Sequence, residues 1–315
     1  MLSFASIAHA AQGAQEAVDR VRDAAAAGTD EFVARMRSDP FTWIHLIGAA
    51  AALAVLAVGG ALRPGSLKGG RDVTAHAWII WLACGIMVLV ASWIGGGVVA
   101  SLVGLSSTPG SLSGLSVREQ ALVGLCGYSL AIGTALVLRR LLATSAPQAG
   151  LQLRPQDLPL AAFAAVLTWP IVQAASILCS WIVVAVGGNT PERIAHSTLQ
   201  TMIDERSNPW TWVLAGLAVI AAPVVEEFVF RAGLQSSLLR LFGRPWLAIL
   251  ATSTGFALIH MGDPRTAQWT SMVVLAALGV CLGFAYERTR SLIVPIVIHA
   301  GFNAANVAIA LGTNH

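Results

Sequence analysis

The chain has 315 residues, of which 56% are apolar and 11% charged, with a formal net charge of +3. Soluble domains carry about 25% charged residues, so this composition and a mean hydropathy of +0.71 exclude a water-soluble domain, a disordered chain and a coiled coil. The small net charge, with no basic tract interleaved with aromatics, also excludes a nucleic-acid binder. What fits is an all-α polytopic membrane bundle of about eight spans, at roughly 20 residues per span.

Residues 1–40 form an N-terminal segment. Ala8-His9-Ala10 is signal-like, but a basic n-region is missing and the apolar core is short, so cleavage is not expected. Residues 11–38 alternate alanine with Glu16, Asp19, Arg20, Arg22, Asp23, Glu31, Arg35 and Arg37, the pattern of an amphipathic interfacial helix. Gly28-Thr29-Asp30 divides it in two.

Apolar runs follow at 41–62, 77–104, 120–138, 158–187, 210–230, 245–261, 270–286 and 292–311. They are continuous rather than alternating, which in lipid means helices. Trp43, Trp78, Trp210, Trp212, Trp246 and Trp269 stand near run ends as interfacial anchors. Residues 41–200 read as a transmembrane scaffold and 201–315 as a catalytic helical domain. Within the scaffold, His45, His76 and His196 sit near span ends, where a hydrated histidine is the ordinary explanation, and Pro170 is expected to kink the fourth helix. Cys84, Cys126, Cys179 and Cys281 read as small fillers of helix interfaces. No internal repeat of the transporter kind is evident. Loops one, three, five and seven hold 11 of the 19 Lys and Arg residues, counting Arg231 among them, and this places both termini outside the cytoplasm.

The fifth run is unusual because Glu226, Glu227 and Arg231 stand inside it. A carboxylate at the bilayer centre costs at least about 2.5–3.5 kcal/mol on insertion scales, so these side chains must face the bundle interior, a partner or water. Glu227 and Arg231 are four apart and share a helix face, where they can pair. Glu226 points about 100° away and is left free for chemistry. The ordinary alternative is a cluster at a helix end on the membrane surface, since the run is ending near residue 230. The sixth run ends on His260, and the eighth carries His299 and Asn303 one turn apart. Together these can activate water and stabilise an oxyanion, or bind a metal through Glu and two His.

Glu226-Glu227-x-x-x-Arg231, Phe256-x-x-x-His260 and His299-x-x-x-Asn303, with 34 and 39 residues between Glu226, His260 and His299, resemble the three motifs of the CPBP family. These are the type II CAAX prenyl proteases and bacteriocin-processing intramembrane proteases. The resemblance covers roughly 205–311 and implies a membrane-embedded endopeptidase. By similarity, Glu226 and His260 would activate the attacking water, while His299 and Asn303 would hold the oxyanion. Arg231 would pair with Glu227, and Phe256 would pack the helix carrying His260. The family implies a divalent metal, zinc being the candidate, on Glu226, His260 and His299. No H-E-x-x-H motif occurs, and the same residues also support a metal-free glutamate mechanism. The expected partners are membrane lipid and a peptide or protein substrate, lipidated or membrane-bound. The expected location is the plasma (inner) membrane of a prokaryote. Two other readings use the same residues: a silent membrane scaffold or immunity protein, and a transporter with a proton relay.

Overall fold

A computed structural model describes residues 33–63, 65–67, 69–102, 104, 115–186, 197–261 and 269–312. The amphipathic segment expected at 11–38 lies mostly outside these residues, and His196 lies wholly outside them. The described residues form helices and no strand; the only ladder contacts among them are isolated bridges from Leu151 and Gln152 to Ser291.

Four long helices come first: α1 (Pro40–Val58), α2 (Trp78–Leu102), α3 (Val117–Ser145) and α4 (Leu158–Ala185). Their starts follow from local chemistry. The Asp39 carboxylate accepts the Phe41 N–H at the head of α1. Ser116 and Glu119 close a capping box on α3. A single 3₁₀ turn, Pro155–Asp157, leads into α4. Pro170 stands inside α4 as expected, facing Gly48 of α1, where a Cβ would lie 3.0 Å from the Pro170 Cβ.

After the short α5 (Ser197–Asp204) comes the central helix, α6 (Pro209–Phe242), with more than half of its apolar stretch buried. Then follow α7 (Pro245–Ile259), α8 (Trp269–Thr289) and α9 (Ile293–Gly312). Seven of these helices, α1 to α4, α6, α8 and α9, are long and apolar enough to cross a membrane. The remaining predicted run, the sixth, is α7, whose 15 residues span about 22 Å at 1.5 Å per residue. That is short of the ~30 Å hydrocarbon layer.

The fifth run differs most from expectation, since its helix continues to Phe242 rather than ending near 230. Arg231, Gln235, Ser236 and Ser237 interrupt the hydropathy, yet all four are buried. Arg231 is therefore not a loop residue, and Arg139, Arg140, Arg240 and Arg288 likewise stand in helices, near the ends of α3, α6 and α8 that lead into the odd-numbered loops. Those loops do meet on one face: Arg71 reaches the Ala149 carbonyl, Arg288 that of Ser66 and Arg240 that of His76.

The cysteines are all free, and Cys84 is buried as expected, but Cys126 is exposed on the outer surface. His45 is held rather than simply hydrated, because the Trp169 indole N–H donates to it at 3.3 Å.

Close backbone approach sets the central helix against α2. A Cβ on Gly233 would lie 2.9 Å from the Gly85 Cα and 3.2 Å from the Gly85 nitrogen. Small residues permit such crossings in membranes. Gly233→Val is expected to destabilise the detergent-solubilised protein by about 1–3 kcal/mol through overpacking, read as a lower thermal midpoint. Gly97→Ala, on a stretch of α2 with nothing within 4 Å of the added carbon, is the control and should leave the midpoint unchanged.

Candidate active site

Two wide turns shape α6 where it carries the embedded charges. Its register is π-helical over Leu217–Ala221 and again over Phe228–Gln235, a departure that recurs at functional sites. In the first of these turns the Ala222 N–H donates to the Leu217 carbonyl, five residues back. The same register would pair the Ala218 carbonyl with residue 223, but Pro223 has no N–H. The Asn303 amide of α9 donates to that carbonyl instead, at 2.8 Å. A proline in α6 thus creates the acceptor that pins Asn303.

Glu227 and Glu226 then meet different surroundings. The Glu227 side chain is fully buried; its Oε2 accepts from Arg231 Nε at 2.9 Å and its Oε1 from His299 Nδ1 at 2.9 Å. The i, i+4 pair is the one the sequence indicates, while the bond to His299 was not foreseen. Glu226 retains 24% side-chain exposure, with its Oε2 3.9 Å from His260 Nε2 and 3.8 Å from His299 Nε2. These distances exceed a direct hydrogen bond.

His260 is not inside α7 but follows it, as the residue that caps its last turn. Its Nδ1–H donates to the Phe256 carbonyl at 2.7 Å, which directs Nε2 towards Glu226. The Phe256 ring is fully buried behind the cluster. Its centroid lies 4.7 Å from that of His260, 5.7 Å from that of His299 and 5.1 Å from that of Phe230, and the Arg231 guanidinium carbon lies 5.7 Å from it. Phe256 packs the histidine helix, as expected, and also walls both imidazoles.

The tautomers follow from these bonds. A carbonyl and a carboxylate only accept, so both Nδ1 atoms carry hydrogen. In neutral imidazoles both Nε2 atoms are then lone pairs facing a carboxylate. Three acceptors converging on one point call for a donor or a cation between them. An N, N, O set with each imidazole steered through its Nδ1 fits a divalent metal such as zinc in chemistry and in support. The spacings are about 0.5 Å beyond the ~3.3 Å between ligand atoms of a tetrahedral zinc site. Among the described residues, no three His, Cys, Asp or Glu side chains are closed around an ion position as they stand.

Glu226, Glu227, Arg231, His260 and His299 are thus brought together from α6, α7 and α9, with Asn303 one turn beyond His299. One residue of this neighbourhood escaped the sequence reading. Tyr128 of α3 stands within electrostatic reach of Glu226. Its signal was rarity: the chain has two tyrosines, and the other, Tyr286, packs on a second buried charged cluster.

The fold and the cluster define a multi-pass membrane protein with carboxylate and imidazole groups gathered between its helices. Residues 208–305 match the family model described as type II CAAX prenyl endopeptidase Rce1-like, the family that the three motifs resemble. That family implies a protease acting on a protein or peptide substrate. No curated protein and no solved structure matches the chain.

Proposed function

We propose that the protein is an intramembrane endopeptidase that hydrolyses a peptide bond within or near the membrane, with Glu226 as the general base. The observation that carries this reading is the contrast between the two adjacent glutamates. Glu227 has both oxygens committed to Arg231 and His299, whereas Glu226 is partly exposed and faces two imidazole nitrogens without bonding either.

In this mechanism a water held between Glu226 and His260 gives its proton to the Glu226 carboxylate as its oxygen attacks the scissile carbonyl carbon. The carbonyl π pair moves onto oxygen. In the metal-free form His299 donates to that oxyanion from Nε2 as an imidazolium, with its Nδ1–H held by the Glu227 carboxylate. Asn303 has one amide hydrogen left after its bond to Ala218, and it supplies the second donor. The C–N bond then breaks, and the proton on Glu226 passes to the leaving amine. A divalent metal, zinc by its ligand chemistry, would be held by Glu226, His260 and His299; it would then acidify the water and polarise the carbonyl in place of the Glu226 base and the His299 donor, whose Nε2 cannot ligate and donate at once.

The substrate proposed is a lipidated or membrane-bound peptide, and the location is the plasma (inner) membrane of a prokaryote. The test is metal content and peptide hydrolysis by the detergent-purified protein, with and without a chelator. About one equivalent of metal and chelator-sensitive cleavage are expected. Cleavage by metal-free protein would favour glutamate chemistry alone. No cleavage of any lipidated or unlipidated peptide would support the silent-scaffold reading.

A further inference from the structure

A second set of buried charges lies where α6, α8 and the α1–α2 loop meet. Arg71, from the loop, donates to Glu287 Oε1 from Nη2 at 2.7 Å and from Nε at 3.1 Å. Its Nη1 donates to Ser236 Oγ at 2.8 Å and to the Ala149 carbonyl at 3.0 Å. The same Glu287 oxygen accepts from Gln235 Nε2 at 2.8 Å. Both charged side chains are fully buried, and the guanidinium lies 3.9 Å from the Tyr286 ring centroid.

Glycines make room for this arrangement. A Cβ on Gly150, whose φ is +84°, would lie 2.6 Å from Arg71 Cδ, and one on Gly283 would lie 2.7 Å from Gln235 Oε1. Such a pair adds little net stability, because replacing both partners with apolar groups is often neutral or better. Its contact with the central helix accounts for it more fully.

At the end of the second π-helical stretch the Ser236 N–H donates to the Gly233 carbonyl, three residues back, and not to that of Arg231. The Ser236 hydroxyl serves the Arg231 carbonyl in its place, at 3.1 Å. A hydroxyl can rotate to other acceptors. Here the Arg71 guanidinium donates to its oxygen, which turns the hydroxyl hydrogen towards Arg231. The chain of contacts then runs from Arg71 through Ser236 to Arg231, from Arg231 to Glu227, and from Glu227 to His299.

We propose that Arg71 and Glu287 are positioning residues, which lock the π register of α6 over Phe228–Gln235 and so aim Arg231 and Glu227 at His299. The proposal rests on the catalytic reading of the site only for its kinetic arm. It gives a residue outside the family-matched segment a part in the geometry of the cluster.

The deciding variant is Arg71→Met with Glu287→Leu, which removes both charges and leaves neither stranded. It is expected to fold with a thermal midpoint within a few degrees of wild type. Its kcat should fall by at least about tenfold with KM changed less than about twofold, the split of an interaction felt in the transition state. A cryo-electron microscopy structure of the variant should show α6 relaxed towards α-helical register and the Glu227–His299 contact lengthened beyond hydrogen-bond distance. A folded double variant that keeps the π register, that contact and wild-type kcat overturns the proposal. Should the double variant not fold, Ser236→Ala keeps the ion pair and cuts only the link to Arg231. The same kcat-selective loss is expected, and wild-type kcat with an unchanged contact overturns the proposal. If wild-type protein cleaves no peptide, the catalytic reading falls, and the structural comparison still decides the positioning one.

Discussion

Glu226→Gln is expected to lower kcat/KM for peptide hydrolysis by about a thousandfold while leaving the protein folded. General-base catalysis contributes roughly 10²–10⁴-fold, and the expected loss lies in the middle of that range. Stability should be preserved for a local reason. Glu226 retains 24% side-chain exposure and makes no direct hydrogen bond, so the isosteric amide removes no contact on which the bundle depends. The amide can donate to a facing Nε2 atom, and the thermal midpoint should hold or rise. Initial rates and thermal midpoints of wild type and variant measured together check both halves. Activity within tenfold of wild type would remove Glu226 from the role of base.

The neighbouring carboxylate should behave in the opposite way. Arg231→Met is expected to cost about 3 kcal/mol of stability, near the lower end of the range for breaking a buried ion pair. Glu227 would remain fully buried with His299 as its single partner. The lower end is appropriate because Arg231 Nη1 and Nη2 have no protein partner, so burying the guanidinium is itself costly. The double variant Glu227→Gln with Arg231→Met leaves no stranded charge and should recover most of the loss. Unfolding of the single and double variants in detergent, set out as a double-mutant cycle, measures the coupling. Additive losses would show that Glu227 and Arg231 are not a pair.

Much of this arrangement is legible in the sequence, and what is not has identifiable causes. Helices were readable because lipid leaves few alternatives to a continuous apolar run. Glu226, Glu227, Arg231, His260 and His299 stood out because charge and imidazole are rare inside such runs. The true end of α6 was hidden, since hydropathy registers Gln235 and Ser236 as an exit from the membrane. They stay buried because Arg71 and Glu287 meet them there, and 216 residues separate that pair. The Glu227–His299 bond was missed for a simpler reason. A carboxylate has two oxygens, and the helical spacing to Arg231 accounted for only one. The π-helical turns leave no mark on a 3.6-residue periodicity, although Pro223 in the middle of a span was the residue around which the first of them forms.

The Arg71–Glu287 contact also bears on modularity. The family match begins at residue 208, but the electrostatics cross that boundary. A fragment cut at that boundary would keep every motif residue. It would lose the cation that neutralises Glu287 and the α2 backbone that Gly233 packs against. The segment that matches the family model is therefore expected to be less stable alone than within the whole chain. The buried charges of the matched segment depend on contacts supplied by residues outside it.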